Sequence, residues 1–258
     1  ILTFGAVPIV WSLIMSFQQN NLLSARTPFV GLRNYRQLAH DPAVLQAAGH
    51  TIIYTALFVP GTMVVGLFLA VAMNRDLRFM WFYRTAAYAT MAISTISEAL
   101  VFIWLFDPSY SAFNWILAHF GIGHIPWTGE AGWARFSVIL VNIWAGAPFF
   151  MIMYLAALKS VPEQLYEAAA IDGAAWWQRI WYVTLPMMRN IIAITALFST
   201  IVTFANFDIV RVLTSGGPLT STHLFATWAF KVGIESGDIP LGATVSLFMV
   251  PILAVAAA

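Results

Sequence analysis

The chain has 258 residues, of which 60% are hydrophobic and 9% are charged, and its formal net charge is +1. This composition excludes an ordinary soluble domain and is typical of a polytopic membrane protein. There is no cysteine, which excludes a disulfide framework and a thiolate metal site. The near-neutral charge provides no basic tract for phosphates, so nucleic acid is not an expected partner. Both ends of the sequence lie in apolar runs, and we expect the protein to continue beyond them.

Six apolar stretches approach or exceed the roughly 20 residues that a helix needs to cross a bilayer. Backbone amides in hydrocarbon must be bonded within their own segment, so the stretches are predicted to be helices and the fold all-α. We expect one transmembrane domain over residues 1–258. The predicted spans are 1–17, 51–73, 85–106, 136–158, 190–213 and a sixth from about 241 to the end.

The positive charges of the connections predict the orientation. With six spans, the connections after the second and fourth spans share one side. The first of these is short and holds Arg75, Arg78 and Arg84 against one acid, Asp76, and the second adds Arg179. Dense basic residues in short connections favour the cytoplasmic side, so residues 160–189 are predicted to be cytoplasmic.

The 160–189 connection is the longest part of the chain that is neither plainly apolar nor plainly a turn. Ser160 and Glu163 have the spacing of a capping box at the start of a short helix. Gly173 stands where a helix end favours a residue that can take positive φ. A second helix is predicted over 175–183, stopped by Leu185-Pro186. The residues by themselves predict a pair of short helices at a membrane surface, which can exist without a partner protein.

The same stretch carries a family resemblance. Glu167-Ala168-Ala169, then Gly173, then Leu185-Pro186 resemble the EAA loop of permease subunits of bacterial binding-protein-dependent ABC importers. In that family the loop is the coupling helix that docks on an ATPase subunit. The resemblance implies that the coupling residues here are Leu165, Glu167, Ala168, Ala169, Asp172 and Gly173.

Two further segments resemble the carbohydrate-uptake branch of these permeases, the maltose- and glycerol-phosphate-type first permease. They are Gly31-Leu32-Arg33-Asn34-Tyr35 and Phe207-Asp208 followed by Leu213-Thr214 and Gly216-Gly217-Pro218. The glycines and the proline are predicted to break the fifth span at the outer face. A short re-entrant or interfacial helix is expected over 222–231.

The resemblance implies a type I ABC importer permease fold and a division of labour in the bacterial plasma (inner) membrane. The chain would form half of a translocation pathway in the lipid bilayer, paired as a heterodimer with a second, homologous permease. Two ATPase subunits would hold ATP and Mg²⁺, and an extracytoplasmic solute-binding protein would deliver a sugar or related solute. No cofactor is expected in this chain, because it contains no phosphate-binding Gly-rich loop.

Polar residues at membrane depth usually face the bundle interior or water. Sugars need hydrogen-bonding groups for their hydroxyls and an apolar surface for their CH groups. Amide and aromatic residues in the fourth and fifth spans match that need, although Asn also bonds helices to one another in bundles. Glu98 is an isolated acid in the third span, and no partner can be named for it. The candidates for the solute path are Asn142, Trp144, Phe204, Asn206, Phe207 and Asp208.

Other functions remain open on the sequence. A permease for amino acids, peptides or phosphate would share the coupling loop. An ion-driven carrier would more often show an inverted internal repeat. An intramembrane enzyme using Glu98 or Asp208 would need convergent catalytic groups. No HExxH motif or metal-ligand spacing is present, so neither a catalytic nor a metal site is predicted.

Overall fold

The computed structural model describes residues 2–19, 27–75 and 78–257. These residues are almost entirely helical, and within the described ranges the only β pairing is a single antiparallel bridge between Gln18 and Phe29. The all-α prediction is therefore confirmed. The helices are α1 Leu2–Ser16, α2 Arg33–Ala39, α3 Pro42–Met73, α4 Met80–Ala89, α5 Thr95–Leu105, α6 Ala112–His119, α7 Ala131–Lys159, α8 Glu163–Ile171, α9 Trp176–Arg179, α10 Leu185–Phe204, α11 Asp208–Thr214, α12 Phe225–Phe230 and α13 Ile239–Ala257.

Three helices of the described chain are long and apolar enough to cross a membrane. They are α3, α7 and the continuous helix Trp176–Phe204, with 32, 29 and 29 residues. The shorter apolar helices Ala6–Ser16 and Ile239–Pro251 correspond to the first and sixth predicted spans. The structure thus has the polytopic character that the sequence predicts.

The third span is not one straight helix, and the prediction of a continuous helix over 85–106 is wrong. Helical residues Met80–Ala92 meet Thr95–Leu105 at an angle of 99°. The chain is extended at Ile93 and Ser94, both with ψ of 135°. Ser94 takes the N-cap position of α5, and its carbonyl accepts from the Glu98 amide at 3.0 Å. The bend contains neither proline nor glycine, and the Ser94 side chain makes no capping bond.

The aromatic helix does not stop at Leu185-Pro186, so that prediction is also wrong. A π-helical segment, Ile180–Thr184, joins α9 to α10, and Pro186 is the second residue of α10. A π segment shifts the hydrogen-bond ladder locally, and it lies directly before Leu185 and Pro186, whose ring nitrogen has no hydrogen to donate. The chain therefore continues as one helix from the surface into the membrane.

The fifth span ends earlier than predicted. Helix α10 stops at Phe204, residues 205–207 leave the helix, and α11 is a separate short helix. The Gly216-Gly217-Pro218 segment ends α11 rather than the span. The expected short helix beyond it is present as α12, extended by a π segment at Lys231–Glu235.

Helices α3 and α7 pack side by side and form the centre of the fold. A methyl group at Gly66 would collide with Phe150 Cβ, so the backbones approach more closely than side chains allow. Small residues commonly permit such contact between membrane helices. Two apolar clusters fill this packing, one around Phe58 and Val141 and one around Met151 and Tyr154.

The Gly31–Tyr35 segment secures the end of α1. Asn34 donates to the carbonyls of Ser16 and Gln18 at 2.9 and 2.7 Å, and the Tyr35 and Ser16 hydroxyls are 2.8 Å apart. These bonds satisfy carbonyls that a helix C-terminus leaves without partners. The motif therefore has a structural role in this chain.

Candidate functional site

The 160–189 connection forms a helix, a tight turn and a second helix. Gly173 has φ of +77°, as predicted, and its amide donates to the Ala170 carbonyl at 3.1 Å. The Ala174 amide donates to the Ala169 carbonyl at 2.9 Å, which closes the end of α8. The predicted capping box is absent: Pro162 is the N-cap, and the Ser160 hydroxyl donates back to Ala157 O at 2.7 Å. Pro162 supplies the extended backbone that a helix start requires.

One side of this connection is attached to the membrane helices. The hydroxyls of Tyr166 and Thr184 lie 3.0 Å apart, which ties α8 to the π segment. Arg179 Nε donates to the Ala174 carbonyl at 3.0 Å and fixes the turn. These bonds connect α8 to the π segment that precedes α10.

The other side of α8 is open. Among the predicted coupling residues, Ala169 is half-buried, and the others are exposed. The Glu167 and Asp172 carboxylates have no ion-pair partner among the described residues. Ile171, the last residue of α8, is 86% exposed. The structure thus brings together on one surface Leu165, Glu167, Ala168, Asp172 and Gly173.

The connection between α3 and α4 lies at the same end of the molecule. Arg75 borders a groove together with Trp176 and Ile180. Arg84 donates to the Met73 carbonyl through Nε at 3.1 Å and Nη2 at 2.6 Å, which satisfies the C-terminus of α3. The predicted acid of this connection, Asp76, lies outside the described residues.

A polar cluster lies between the central helices. Asn206 Nδ2 donates to Asn142 Oδ1 at 2.7 Å and to the Tyr54 hydroxyl at 3.2 Å. Asn142 in turn donates to the Val138 carbonyl at 2.8 Å and is 3% exposed. Asn142 belongs to α7, Tyr54 belongs to α3, and Asn206 lies in the break after α10. The break therefore positions Asn206 beside the packed pair α3 and α7.

The other solute-path candidates lie apart from this cluster. Trp144 packs edge-on against Phe102, with ring centroids 5.3 Å apart. Phe207 packs against Phe230, whereas Phe204 is buried in a different apolar cluster. Asp208 is exposed at the first turn of α11. Tyr54 was not among the predicted site residues, because its only signal in the sequence is a lone hydroxyl in an apolar span.

Glu98 borders a cavity of about 500 Å³. The residue is 7% exposed, and no hydrogen bond or ion pair joins its carboxylate to another described residue. Phe102, Phe113 and Trp144 line the same cavity. An isolated acid among aromatic and aliphatic groups lacks the convergent partners that a catalytic site requires.

The connection over residues 215–224 is compact and lies at the opposite end from α8. The Thr214 and Thr222 hydroxyls lie 2.7 Å apart, and Arg211 pairs with Glu235 at 2.5 Å. Burial lowers the pKa of His223 to about 4, helped by the positive charge of Lys231 and opposed by Glu235. His223 is therefore neutral at physiological pH, with Nδ1 3.2 Å from the Thr227 hydroxyl.

Comparison with known proteins identifies the family of this chain. The profile of the "binding-protein-dependent transport system inner membrane component" family matches residues 62–258. This chain belongs to that family. It is a multi-pass membrane permease, a transport subunit rather than an enzyme. Within the described residues, no group of three or more His, Asp or Glu side chains could hold a metal ion.

Individual relatives extend nearly the full length of this permease. The lactose transport permease LacF of Rhizobium radiobacter is 32% identical, over 98% of this chain and 86% of that protein. The trehalose/maltose transport permease MalF of Thermococcus litoralis is 30% identical, over 96% and 83%. A permease chain in the crystal structure of a bacterial alginate importer superposes with a TM-score of 0.85 at 24% identity, covering 99% of this chain and 87% of that one. This superposition shows the type I importer fold.

Proposed function

We propose that this permease forms half of the translocation pathway of an ATP-driven importer for a saccharide or a related solute. The single observation that carries the proposal is the exposed surface of α8 and Gly173, tied on one side to α10 and unpaired on the other. A surface of small side chains and free carboxylates suits the close approach of a second protein. We infer that the protein that docks on this surface is an ATPase subunit.

The coupling would work through the helix that joins the surface to the membrane. The two ATPase subunits would bind ATP and Mg²⁺. Their closure around the nucleotide would displace α8. The Tyr166–Thr184 contact and the continuous helix Trp176–Phe204 transmit the displacement into the membrane. This drives transport only if the two states of the permease bind their partners with different affinity.

The remaining partners follow from the same assignment. A second, homologous permease would complete the pathway, and an extracytoplasmic binding protein would deliver the solute. An alginate importer has been solved in complex with its pentasaccharide-bound periplasmic protein. We place the complex in a bacterial inner membrane, with residues 160–189 on the cytoplasmic side.

The Asn142–Asn206–Tyr54 cluster is our candidate for a solute contact. Its two amides and one phenol can exchange their mutual bonds for bonds to hydroxyl groups, since each group both donates and accepts. The named relatives transport trehalose, maltose and lactose, which favours a saccharide. Trp144, Phe204, Phe207 and Asp208 would contact solute only if the pathway opens beyond the described arrangement.

Substitution of Asn206 tests this contact. In the complete importer, reconstituted with its binding protein, Asn206→Ala should lower solute uptake about tenfold, the loss expected for one or two hydrogen bonds. Asn74→Ala removes an exposed amide at the far end of α3 and is the matched control. Uptake and solute-stimulated ATPase activity equal to the wild type would remove Asn206 from the pathway.

The assignment as an importer has its own test. Uptake into vesicles should require the ATPase subunits, the binding protein and ATP together. Solute uptake by this chain without ATPase subunits would instead identify a secondary carrier.

A further inference from the structure

A cavity of about 320 Å³ lies at the end of the molecule opposite α8. It is lined by residues of α3, α7 and the 215–224 connection. Most of its wall is aliphatic or aromatic: Ile53, Leu57, Phe136, Val138, Ile139 and Leu224. The coupling surface includes none of these six residues, whereas Tyr54 of the Asn142–Asn206–Tyr54 cluster also lines the cavity.

The polar end of the cavity contains hydrogen-bonding atoms without partners. Ser221 is 7% exposed, and its hydroxyl has no hydrogen-bond partner in the part of the chain that the structure describes. The Nδ1 atom of His50 is also buried and has no hydrogen-bond partner among the described residues. Both residues line the cavity. Buried polar atoms are nearly always hydrogen-bonded, so two unpaired ones at one cavity indicate a missing ligand group.

The same end carries positive charge. Arg135 lines the cavity, and among the described residues its only hydrogen bond is from Nε to the Ala131 carbonyl at 3.1 Å, within its own helix. The cavity also adjoins the N-terminus of the 29-residue helix α7, where the helix dipole favours an anion. The nearby acid Glu130 is exposed at the N-cap and makes no capping bond. Arg135 therefore remains available to an anionic group.

The apolar part of the cavity opens sideways. Ile53, Leu57 and Phe136 border it and are 48%, 54% and 48% exposed. They belong to α3 and α7, two of the helices that are long and apolar enough to cross a membrane. A cation at the membrane surface above an apolar groove matches a phosphate joined to an acyl chain.

We propose that this cavity binds an anionic phospholipid. The phosphate lies against Arg135, with His50 Nδ1 and the Ser221 hydroxyl as further hydrogen-bonding groups. An acyl chain lies along Ile53 and Leu57. A free phosphate would satisfy the polar end but leave the aliphatic wall uncovered, and a saccharide would find few polar groups along that wall.

Lipid retention by the whole importer tests whether the positive charge of Arg135 holds an anionic lipid. Native mass spectrometry of the purified complex should show bound phosphatidylglycerol in preference to phosphatidylcholine. Arg135→Gln should reduce that retention about tenfold, as expected for a lost charge-assisted hydrogen bond. Arg36→Gln, which changes an exposed arginine of α2, is the control. Equal retention of the two lipids, or equal loss in both variants, would overturn the proposal.

Excess glycerol phosphate should leave phosphatidylglycerol bound, because it lacks the acyl chains. If it displaces the lipid, the cavity recognises phosphate alone, and the proposal of a phospholipid site is wrong.

A photoreactive benzophenone residue identifies the occupant of the groove even if Arg135→Gln fails to assemble. Placed at Leu57 in the assembled importer, it should cross-link to lipid. Leu100 on α5 is 55% exposed, nearly the same as Leu57, and lies outside the cavity. The Leu57 probe should capture phosphatidylglycerol in preference to phosphatidylcholine, and the Leu100 probe should not discriminate. Cross-linking of Leu57 to the second permease, or no lipid preference at Leu57, would contradict a lipid site.

Discussion

Asn206 shows how one residue depends on the break in its helix. If α10 continued to Leu213 as a regular helix, the helical repeat would set the direction of the Asn206 side chain. Instead, the chain leaves the helix after Phe204, and Asn206 contacts residues 64 and 152 positions away in sequence, Asn142 and Tyr54. The sequence marked both asparagines as polar groups in spans. Their contact depends on a break whose position the sequence did not reveal.

Substitution of Gly173 tests coupling, and the same substitution at another glycine with positive φ shows how much of the effect comes from backbone strain. Gly173→Val should reduce solute-stimulated ATPase activity strongly, because a branched side chain at positive φ costs about 1–2 kcal/mol and distorts the turn of the docking surface. Nothing lies within 4 Å of a Cβ added at Gly173 or at Gly121, which has φ of +73° in the connection after α6. Gly121→Val is therefore the matched control for strain.

In the reconstituted importer, both valine variants should lose similar thermal stability, and only Gly173→Val should lose coupling. Normal coupling in Gly173→Val, or equal loss in both variants, would count against docking at α8.

His223 predicts a pH dependence of stability. Its pKa is about 4 in the fold, against an ordinary value of 6.5. Between these values the unfolded chain binds a proton that the folded chain lacks, so stability falls as the pH decreases from 6.5 toward 4. Lys231, Arg211 and His50 disfavour the charged imidazole, and Glu235 favours it.

The unfolding temperature of the purified complex should therefore be lower at pH 5 than at pH 7.5. His223→Gln should reduce this difference, and His40→Gln, at an exposed position in another connection, should preserve it. An unchanged difference in His223→Gln would assign the pH dependence to other groups.

At the scale of elements, the close packing of α3 and α7 depends on glycine. Gly66→Ala should lower stability by roughly 1–3 kcal/mol, because the methyl group collides with Phe150 and the helices must separate. Gly49 is in the same helix, and a Cβ there meets nothing within 4 Å. Gly49→Ala should be neutral or stabilising by about 0.5–1 kcal/mol through helix propensity.

Thermal unfolding of both variants in detergent measures the difference. Equal effects would mean that helix propensity, rather than packing against α7, controls both positions.

Helix interruptions explain most differences between the predicted and observed elements. The apolar stretches marked where helices exist but not where they bend. The bend at Ile93–Ser94 has only weak local signals, a cluster of hydroxyl residues, while Pro186 gave a strong signal that the π segment accommodates. In a membrane, neighbouring helices can satisfy the backbone at a break, so tertiary contacts decide which local signals take effect.

The whole molecule has a defined orientation that its lack of cysteine makes easy to test. We expect a single cysteine replacing Leu219, which is 94% exposed, to react with a membrane-impermeant maleimide in intact spheroplasts. Asn74→Cys, in the α3–α4 connection, should react only after the membrane is permeabilised. The reverse pattern would place α8 outside and exclude its contact with a cytoplasmic ATPase.

The sequence by itself determined the class of this protein and the surface that we assign to coupling. Apolar length fixes which segments enter the bilayer, and the Ala-rich segment with Gly173 forms its turn from neighbouring residues alone. Tertiary structure decided the bend in the third span, the break before Asn206, the contact of Asn206 with Tyr54 and the cavity at Arg135. These features depend on residues far apart in sequence that meet only when α3, α7 and α10 pack, and local propensity carries no information about that packing.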